Sequence, residues 1–140
     1  MAERKSERLI INTDGGSRGN PGPAAIGAVL KDEAGVVVAE ISEYIGATTN
    51  NQAEYRAVVA AIEKAKKLGA EELDFFLDSE LVVKQLKREY RVRDKDLAPL
   101  FMKIYNACMS FKKVTFKHVR RELNVEADKL VNEALDREKK

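Results

Sequence analysis

Among the 23 acidic residues of this 140-residue chain, four stand where a carboxylate is out of place. Asp14 closes a short run that opens at Leu9-Ile10-Ile11, and Asp78 closes another over 73–77. Runs of this kind read as buried strands, and in open α/β sheets sites form beyond the carboxyl ends of strands. Glu54 lies three and four residues before Ala57 and Val58; Asp128 lies three and seven before Val131 and Leu135. That spacing aligns each acid with the apolar stripe of a helix. A carboxylate on a buried face costs desolvation energy unless it is paired. Magnesium takes oxygen ligands, and two such ions roughly 3.5–4 Å apart bracket the attacking and leaving oxygens of a phosphodiester. Taken singly, each acid has a plainer role. Glu54 and Asp128 would complement the positive ends of their helices, and Asp14 and Asp78 would start turns. Convergence of all four on one point favours the cation.

Positioning them requires a particular order of elements. The first strand is expected to stop at Asp14 and give way to a loop over 15–23, dense in glycine and proline. Strands follow over 26–30 and 36–44, joined by a hairpin turn at Asp32-Glu33-Ala34-Gly35. Thr49-Asn50-Asn51-Gln52 fits a capping box, and Gly69 ends the helix it starts. After the strand at 73–77, Ser79 caps one helix and Asp96 a second, whose first turn holds Pro99. A last strand over 114–119 leads to Asn124, the cap of a final helix. The order βββαβααβα predicts an α/β domain. Its five-stranded sheet is mixed, an antiparallel meander plus parallel strands, with helices on both faces. One domain is expected to fill residues 1–140, frayed at about 1–7 and 136–140, where the chain is almost wholly polar.

The composition, 44% hydrophobic and 34% charged, is that of a globular chain, and no apolar run is long enough to span a bilayer. Residues 1–8 carry no apolar stretch of the kind that directs secretion. The one cysteine, Cys108, cannot form an intrachain disulfide, which fits a reducing cytoplasm. A net charge of +2 neither demands nor excludes a polyanionic partner, and nothing suggests more than a monomer.

Four stretches resemble the motifs of the type 1 ribonuclease H family, in the family's order and across nearly the whole chain. They are the segment from Thr13 to Gly27, Thr48 through Tyr55, Asp78 through Gln85, and His118 through Asp128 with Asn124 and Glu126 between. The resemblance implies a ribonuclease H-like fold and an endonuclease that cuts the RNA strand of RNA–DNA hybrids, leaving 5′-phosphate and 3′-hydroxyl ends. It implies Asp14, Glu54, Asp78 and Asp128 as ligands of two Mg²⁺ ions, for which Mn²⁺ can substitute. Asp14 is implied to bridge both ions. Asn20, Asn50 and Asn51 match positions that touch nucleic acid, Thr49 one that holds a DNA phosphate, and Ser17 one beside the minor groove. His118 matches a mobile histidine associated with product release.

The chain departs from the longer members of that family. Their basic, aromatic-rich protrusion is reduced here to a short arm over 87–95, in which Arg91 and Arg93 are the candidate phosphate contacts. Glu80 stands where many relatives have glutamine, and the segment after His118 lacks their glycines. These departures resemble the protrusion-free, archaeal-like branch. Two rival readings remain: a Holliday-junction resolvase-like nuclease on the same fold, and a non-catalytic hybrid-binding module. The asparagines argue against the first, and the complete carboxylate set against the second.

Overall fold

Alternation along the first strand sorts its side chains into two layers. Leu9 and Ile11 point to one face of the sheet, and Asn12 and Asp14 to the other. The computed structural model describes residues 7–139, in the order β1 (Arg8–Ser17), β2 (Gly22–Lys31), β3 (Val37–Thr48), α1 (Asn50–Lys67), β4 (Glu72–Leu77), α2 (Glu80–Leu86), α3 (Ala98–Cys108), β5 (Lys113–His118) and α4 (Val125–Glu138). The strands form one sheet in the order β3-β2-β1-β4-β5. β1–β2 and β2–β3 are antiparallel, while β1–β4 and β4–β5 are parallel, as the helical crossovers require. The expected mixed sheet with helices on both faces is therefore present.

The two faces carry different cores. On one, Leu9, Ile11, Leu73 and Phe75 meet Tyr55, Val58 and Ile62 of α1, with α2 and α3 completing the layer. Phe75 stacks on Phe116 of β5 at 5.3 Å. On the other, Val131, Ala134 and Leu135 of α4 lie against Ala25 of β2. Among the described residues no helix is long and apolar enough to cross a membrane.

Local chemistry accounts for most element ends. Asp32 Oδ1 accepts the N–H groups of Ala34 and Val36, and Gly35 takes the positive φ of 85° that closes the β2–β3 turn. Thr49 Oγ1 accepts the Gln52 N–H at the start of α1, and Ser79 Oγ that of Val82 at the start of α2. Gly69, at φ 78°, ends α1 behind Lys64, Lys66 and Lys67, whose charges suit the negative end of the helix dipole.

Three expectations are corrected. The segment over 15–23 is not one loop. β1 continues through Ser17 and β2 starts at Gly22, with Gly16 paired to Ala25 and Ser17 to Ala24. The glycines there serve pairing and helix approach rather than a long turn. Asp96 does not cap α3: Leu97 holds the cap position without a side-chain bond, and the nearby carboxylate at work is Asp94, whose Oδ1 accepts the Asp96 N–H. Residues 136–138 are not frayed but form the last turn of α4. Asp136 pairs with Arg18 at 2.8 Å, and Arg137 donates to the Ser42 carbonyl at 2.9 Å. Glu7, also expected to fray, accepts the N–H groups of Glu71 and Glu72 with its carbonyl, and the Lys139 N–H donates to the Asp136 carbonyl, while residues 1–6 and Lys140 lie outside the described residues.

Two glycines govern how closely helices approach the sheet. A Cβ on Gly15 would overlap the carbonyl of Ala53 in α1, and one on Gly27 the carbonyl of Ala127 in α4. Each helix touches the sheet backbone to backbone at the residue just before a candidate ligand, Glu54 or Asp128. Gly27→Ala should therefore push α4 outward and cost about 2–3 kcal/mol of stability by overpacking. Urea unfolding measures this, and an unchanged midpoint would refute the close approach.

Candidate active site

Register brings the two aspartates to the same edge. The last parallel partners of β1 and β4 are Asn12 and Phe76, and Asp14 and Asp78 each lie two residues further on. Asp14 also lies inside the antiparallel β1–β2 ladder, opposite Gly27, so its backbone is held on that side. Glu54 descends from the first turns of α1, and its Oε1 accepts the Gly15 N–H at 3.0 Å. One oxygen from each of Asp14, Glu54 and Asp78 lies within 4.8 Å of the others. Asp128, in the first turn of α4, lines the same cleft, which has a volume of about 380 Å³. Of the four expected ligands, three offer oxygens within 4.8 Å of one another, and the fourth, Asp128, meets Asp14 across the same cleft from the start of α4.

Like charges this close in a buried place resist ionisation. Burial is the main cause that pushes the Asp14 carboxyl far above its ordinary 3.8, with repulsion from Glu54 and Asp78 adding to it. Burial likewise raises Glu54, against the opposing pull of hydrogen bonds from Asp14 and the Gly15 N–H. Without a cation, both carboxyls therefore resist ionisation. Glu54 is 3% exposed, and its Oε2 is buried with no hydrogen-bond partner among the described residues. An orphaned carboxylate oxygen facing two further carboxylates is the donor set of a hard cation, so the residues present fit magnesium-type ligation.

Asn124 braces the floor of the cleft. It is 1% exposed, yet it does not cap α4 with its side chain as expected. Its Oδ1 accepts from Asn12 Nδ2, and its Nδ2 donates to the Thr13 carbonyl at 2.9 Å and more weakly to Asp78 Oδ2 at 3.4 Å. It thereby ties β1, β4 and the start of α4 together. Asn132, one helical turn after Asp128, donates to the Asp128 carbonyl and carboxylate, and its own Oδ1 accepts from Arg18. Arg121 lines the cleft as an exposed cation, and its charge acts on Glu54. Sequence reading missed the bracing by Asn124 and the places of Asn132 and Arg121. Only Asn132 left a signal there, its i, i+4 spacing from Asp128.

The other expected residues divide into two groups. Ser17, Asn20, Thr49 and Asn50 gather at the N-terminus of α1. Asn20 Oδ1 accepts the Asn50 N–H at 2.9 Å, Asn50 Oδ1 accepts the Ser17 N–H at 3.2 Å, and Asn51 follows in the first turn. The Ser17 hydroxyl is buried without a partner among the described residues. By contrast, His118 ends β5 exposed and outside the lining of the cleft. Arg91 and Arg93 are exposed in the segment between α2 and α3, also away from the cleft.

Residues 12–134 match the family described as reverse transcriptase-like. The chain is 46% identical over 129 residues to ribonuclease HI of Halobacterium salinarum, covering 92% of this chain and 65% of that one. It is 42% identical over 130 residues to the bifunctional protein Rv2228c of Mycobacterium tuberculosis, covering 92% of this chain and 36% of that one. The chain thus spans only about a third of the length of the first curated relatives it matches. LC11-RNase H1, solved in complex with an RNA/DNA hybrid, superposes with a TM-score of 0.90 at 44% identity, over 94% of this chain and 99% of that one. The chain belongs to the type 1 ribonuclease H family.

Two measurements probe this geometry. The folded Asp14 and Glu54 carboxyls are harder to ionise than the unfolded ones. Their contribution to the cation-free fold is therefore most favourable below about pH 4 and is lost as pH rises through the raised folded values. Asp14→Asn in chelator should stabilise the protein at neutral pH by about 1–2 kcal/mol, roughly 3–7 °C in Tm, with the gain vanishing as pH falls to about 4. A gain independent of pH would contradict the raised Asp14 carboxyl. Asn124→Ala leaves the Thr13 carbonyl and Asn12 amide without their partner and should cost about 2–3 kcal/mol. An unfolding midpoint equal to wild type would remove Asn124 from the bracing role.

Proposed function

We propose that this chain is an endonuclease that hydrolyses the RNA strand of RNA–DNA hybrids, leaving 5′-phosphate and 3′-hydroxyl ends. The observation that carries the reading is the buried Asp14–Glu54–Asp78 cluster with its orphaned Glu54 oxygen, open to a cleft, in a chain of this family. Two magnesium ions would be held by Asp14, Glu54, Asp78 and Asp128, with Mn²⁺ able to replace them. Bound there, they supply Lewis-acid activation of water and neutralise charge developing on the phosphodiester. Asp14, central to the cluster, would contribute to holding both.

The chain's own groups then bind and orient the hybrid. The side-chain oxygens of Asn20 and Asn50 are engaged inside the protein, which leaves their NH₂ groups to donate to sugar hydroxyls or base edges. Asn51 and Ser17 stand beside them at the cleft mouth, where the ribose 2′-hydroxyl gives the RNA strand its distinguishing contact. Thr49 accepts the Gln52 N–H and keeps its O–H to donate to a DNA phosphate, at a helix N-terminus that favours anions. Arg91 and Arg93 give outlying phosphate contacts. His118, exposed at the end of β5 outside the cleft lining, would assist product release. Burial pushes the Cys108 thiol up to about 11, so it takes no part as a nucleophile, and a lone cysteine fits a reducing cytoplasm.

A labelled hybrid incubated with magnesium, beside matched DNA and RNA duplexes and a four-way junction, tests the proposal. Cleavage of the hybrid's RNA strand is expected, and preference for the junction would replace this reading with the resolvase one. Asp14→Asn should fall below about a thousandth of wild-type turnover, roughly 4 kcal/mol of barrier. Full activity in excess chelator would sink the metal assignment. His118→Ala should lose about a hundredfold in the steady state. An equal loss in single turnover would move His118 from product release to the chemical step.

A further inference from the structure

Two of the clustered carboxylates have donors that hold them: the Gly15 N–H meets Glu54, and the Asn124 amide meets Asp78. Asp128 is half-buried in the first turn of α4 and receives neither. Among the described residues, the amide that donates to its carboxylate is that of Asn132, 3.4 Å from Oδ2. The same NH₂ group donates to the Asp128 carbonyl at 3.1 Å. A side-chain amide can turn either end to a partner, so something must choose which end faces Asp128. Arg18 makes that choice. A guanidinium only donates, and Arg18 meets the Asn132 oxygen at 3.2 Å, which leaves the NH₂ end for Asp128.

Arg18 is itself held from two sides. The guanidinium nitrogen that meets Asn132 also pairs with Asp136 at 2.8 Å. The backbone N–H of Arg18 donates to the Pro23 carbonyl at 2.8 Å, across the turn between β1 and β2. Gly22 packs against that turn so closely that a Cβ there would overlap the Arg18 carbonyl. Asp128, Asn132 and Asp136 stand four residues apart on one face of α4, and Arg18, Asn132 and Asp128 all line the cleft. Stability alone explains little of this. The Arg18 and Asp136 side chains are 36% and 67% exposed, and ion pairs so open to water stabilise weakly.

We propose that Arg18 and Asn132 form a relay that sets the orientation of the Asp128 carboxylate for metal binding. Both are positioning residues rather than ligands. The proposal rests on the reading of Asp128 as a magnesium ligand in a hybrid-cutting nuclease. It ties that ligand to the turn that carries Asn20, one of the residues assigned to the hybrid. Calorimetric titration with magnesium alone, without nucleic acid, tests the relay. Asn132→Ala should weaken magnesium binding by about tenfold, the low end of what losing a ligand's hydrogen-bond partner costs. Arg18→Ala gives a test of sign. Arg18 is a cation on the cleft, so by Coulomb's law alone its removal should tighten magnesium binding. The relay requires the opposite. Arg18→Ala should weaken binding by about threefold in the wild-type chain, and should weaken it no further once Asn132→Ala is present. Lys31→Ala is the control of equal charge change. It breaks a different tie to the first turn of α4, the 3.0 Å pair with Glu126, and should not weaken magnesium binding. Arg18 and Asn132 are exposed, so urea midpoints in chelator should stay near wild type for both variants. Unchanged binding in Asn132→Ala would overturn the relay. So would an Arg18→Ala effect of the same sign in both backgrounds, or an equal weakening by Lys31→Ala. Asp128→Asn separates the two layers: wild-type affinity there would overturn the ligand assignment, whereas a loss there with none in Asn132→Ala would overturn the relay alone. Cleavage of a labelled hybrid by wild type reads the nuclease assignment, and failure there with the relay intact would overturn only that assignment.

Discussion

Backbone-on-backbone contact at two glycines is the constraint on which the site depends. α1 rests its Ala53 on Gly15, and α4 rests its Ala127 on Gly27. The helices lie on opposite faces of the sheet, yet the residue after each contact is a carboxylate aimed at the same edge. A methyl group on either glycine would move a helix and carry its ligand away from Asp14. The alanines contribute in the same way, since a larger side chain at either position would hold the helix off the sheet.

Stability is given up to assemble the charges. Asp14 and Glu54 are buried among acids that raise the cost of ionising them, and Glu54 keeps an oxygen without a partner among the described residues. The surroundings make that arrangement possible. The Gly15 N–H fixes Glu54, the antiparallel ladder fixes Asp14, and Asn124 joins β1 to Asp78 and the start of α4. The frame is rigid and mostly neutral, so a bound cation gains its attraction to the carboxylates without first having to collect them. A cation is held by ionised carboxylates, and because burial raises Asp14 and Glu54 its affinity should rise with pH.

The periphery uses side chains twice. Asn20 and Asn50 complete the backbone at the start of α1 with their oxygens and present donors outward. Thr49 caps the same helix and keeps a hydroxyl proton. Groups that carry a structural bond lose little further entropy on meeting a ligand, because the fold has already ordered them.

Much of this was legible in the residues themselves. Apolar periodicity and capping pairs placed every helix and strand in order, since those signals are local. The four carboxylates showed themselves by lying at strand ends and on apolar helix stripes, where an unpaired acid is costly. Local reading erred where a residue type has several uses. Gly15 and Gly16 resemble a turn but lie within a paired strand, Asp96 resembles a cap that Leu97 occupies, and Asn124 resembles a cap but spends its amide on β1 and Asp78. Only the tertiary structure decided how closely Glu54, Asp78 and Asp128 gather around Asp14, that Arg121 and Asn132 join the cleft, and that His118, Arg91 and Arg93 do not line it. Those outcomes depend on register and on the depth at which each helix meets the sheet. Both are set by contacts between residues far apart in the chain, which no local pattern records.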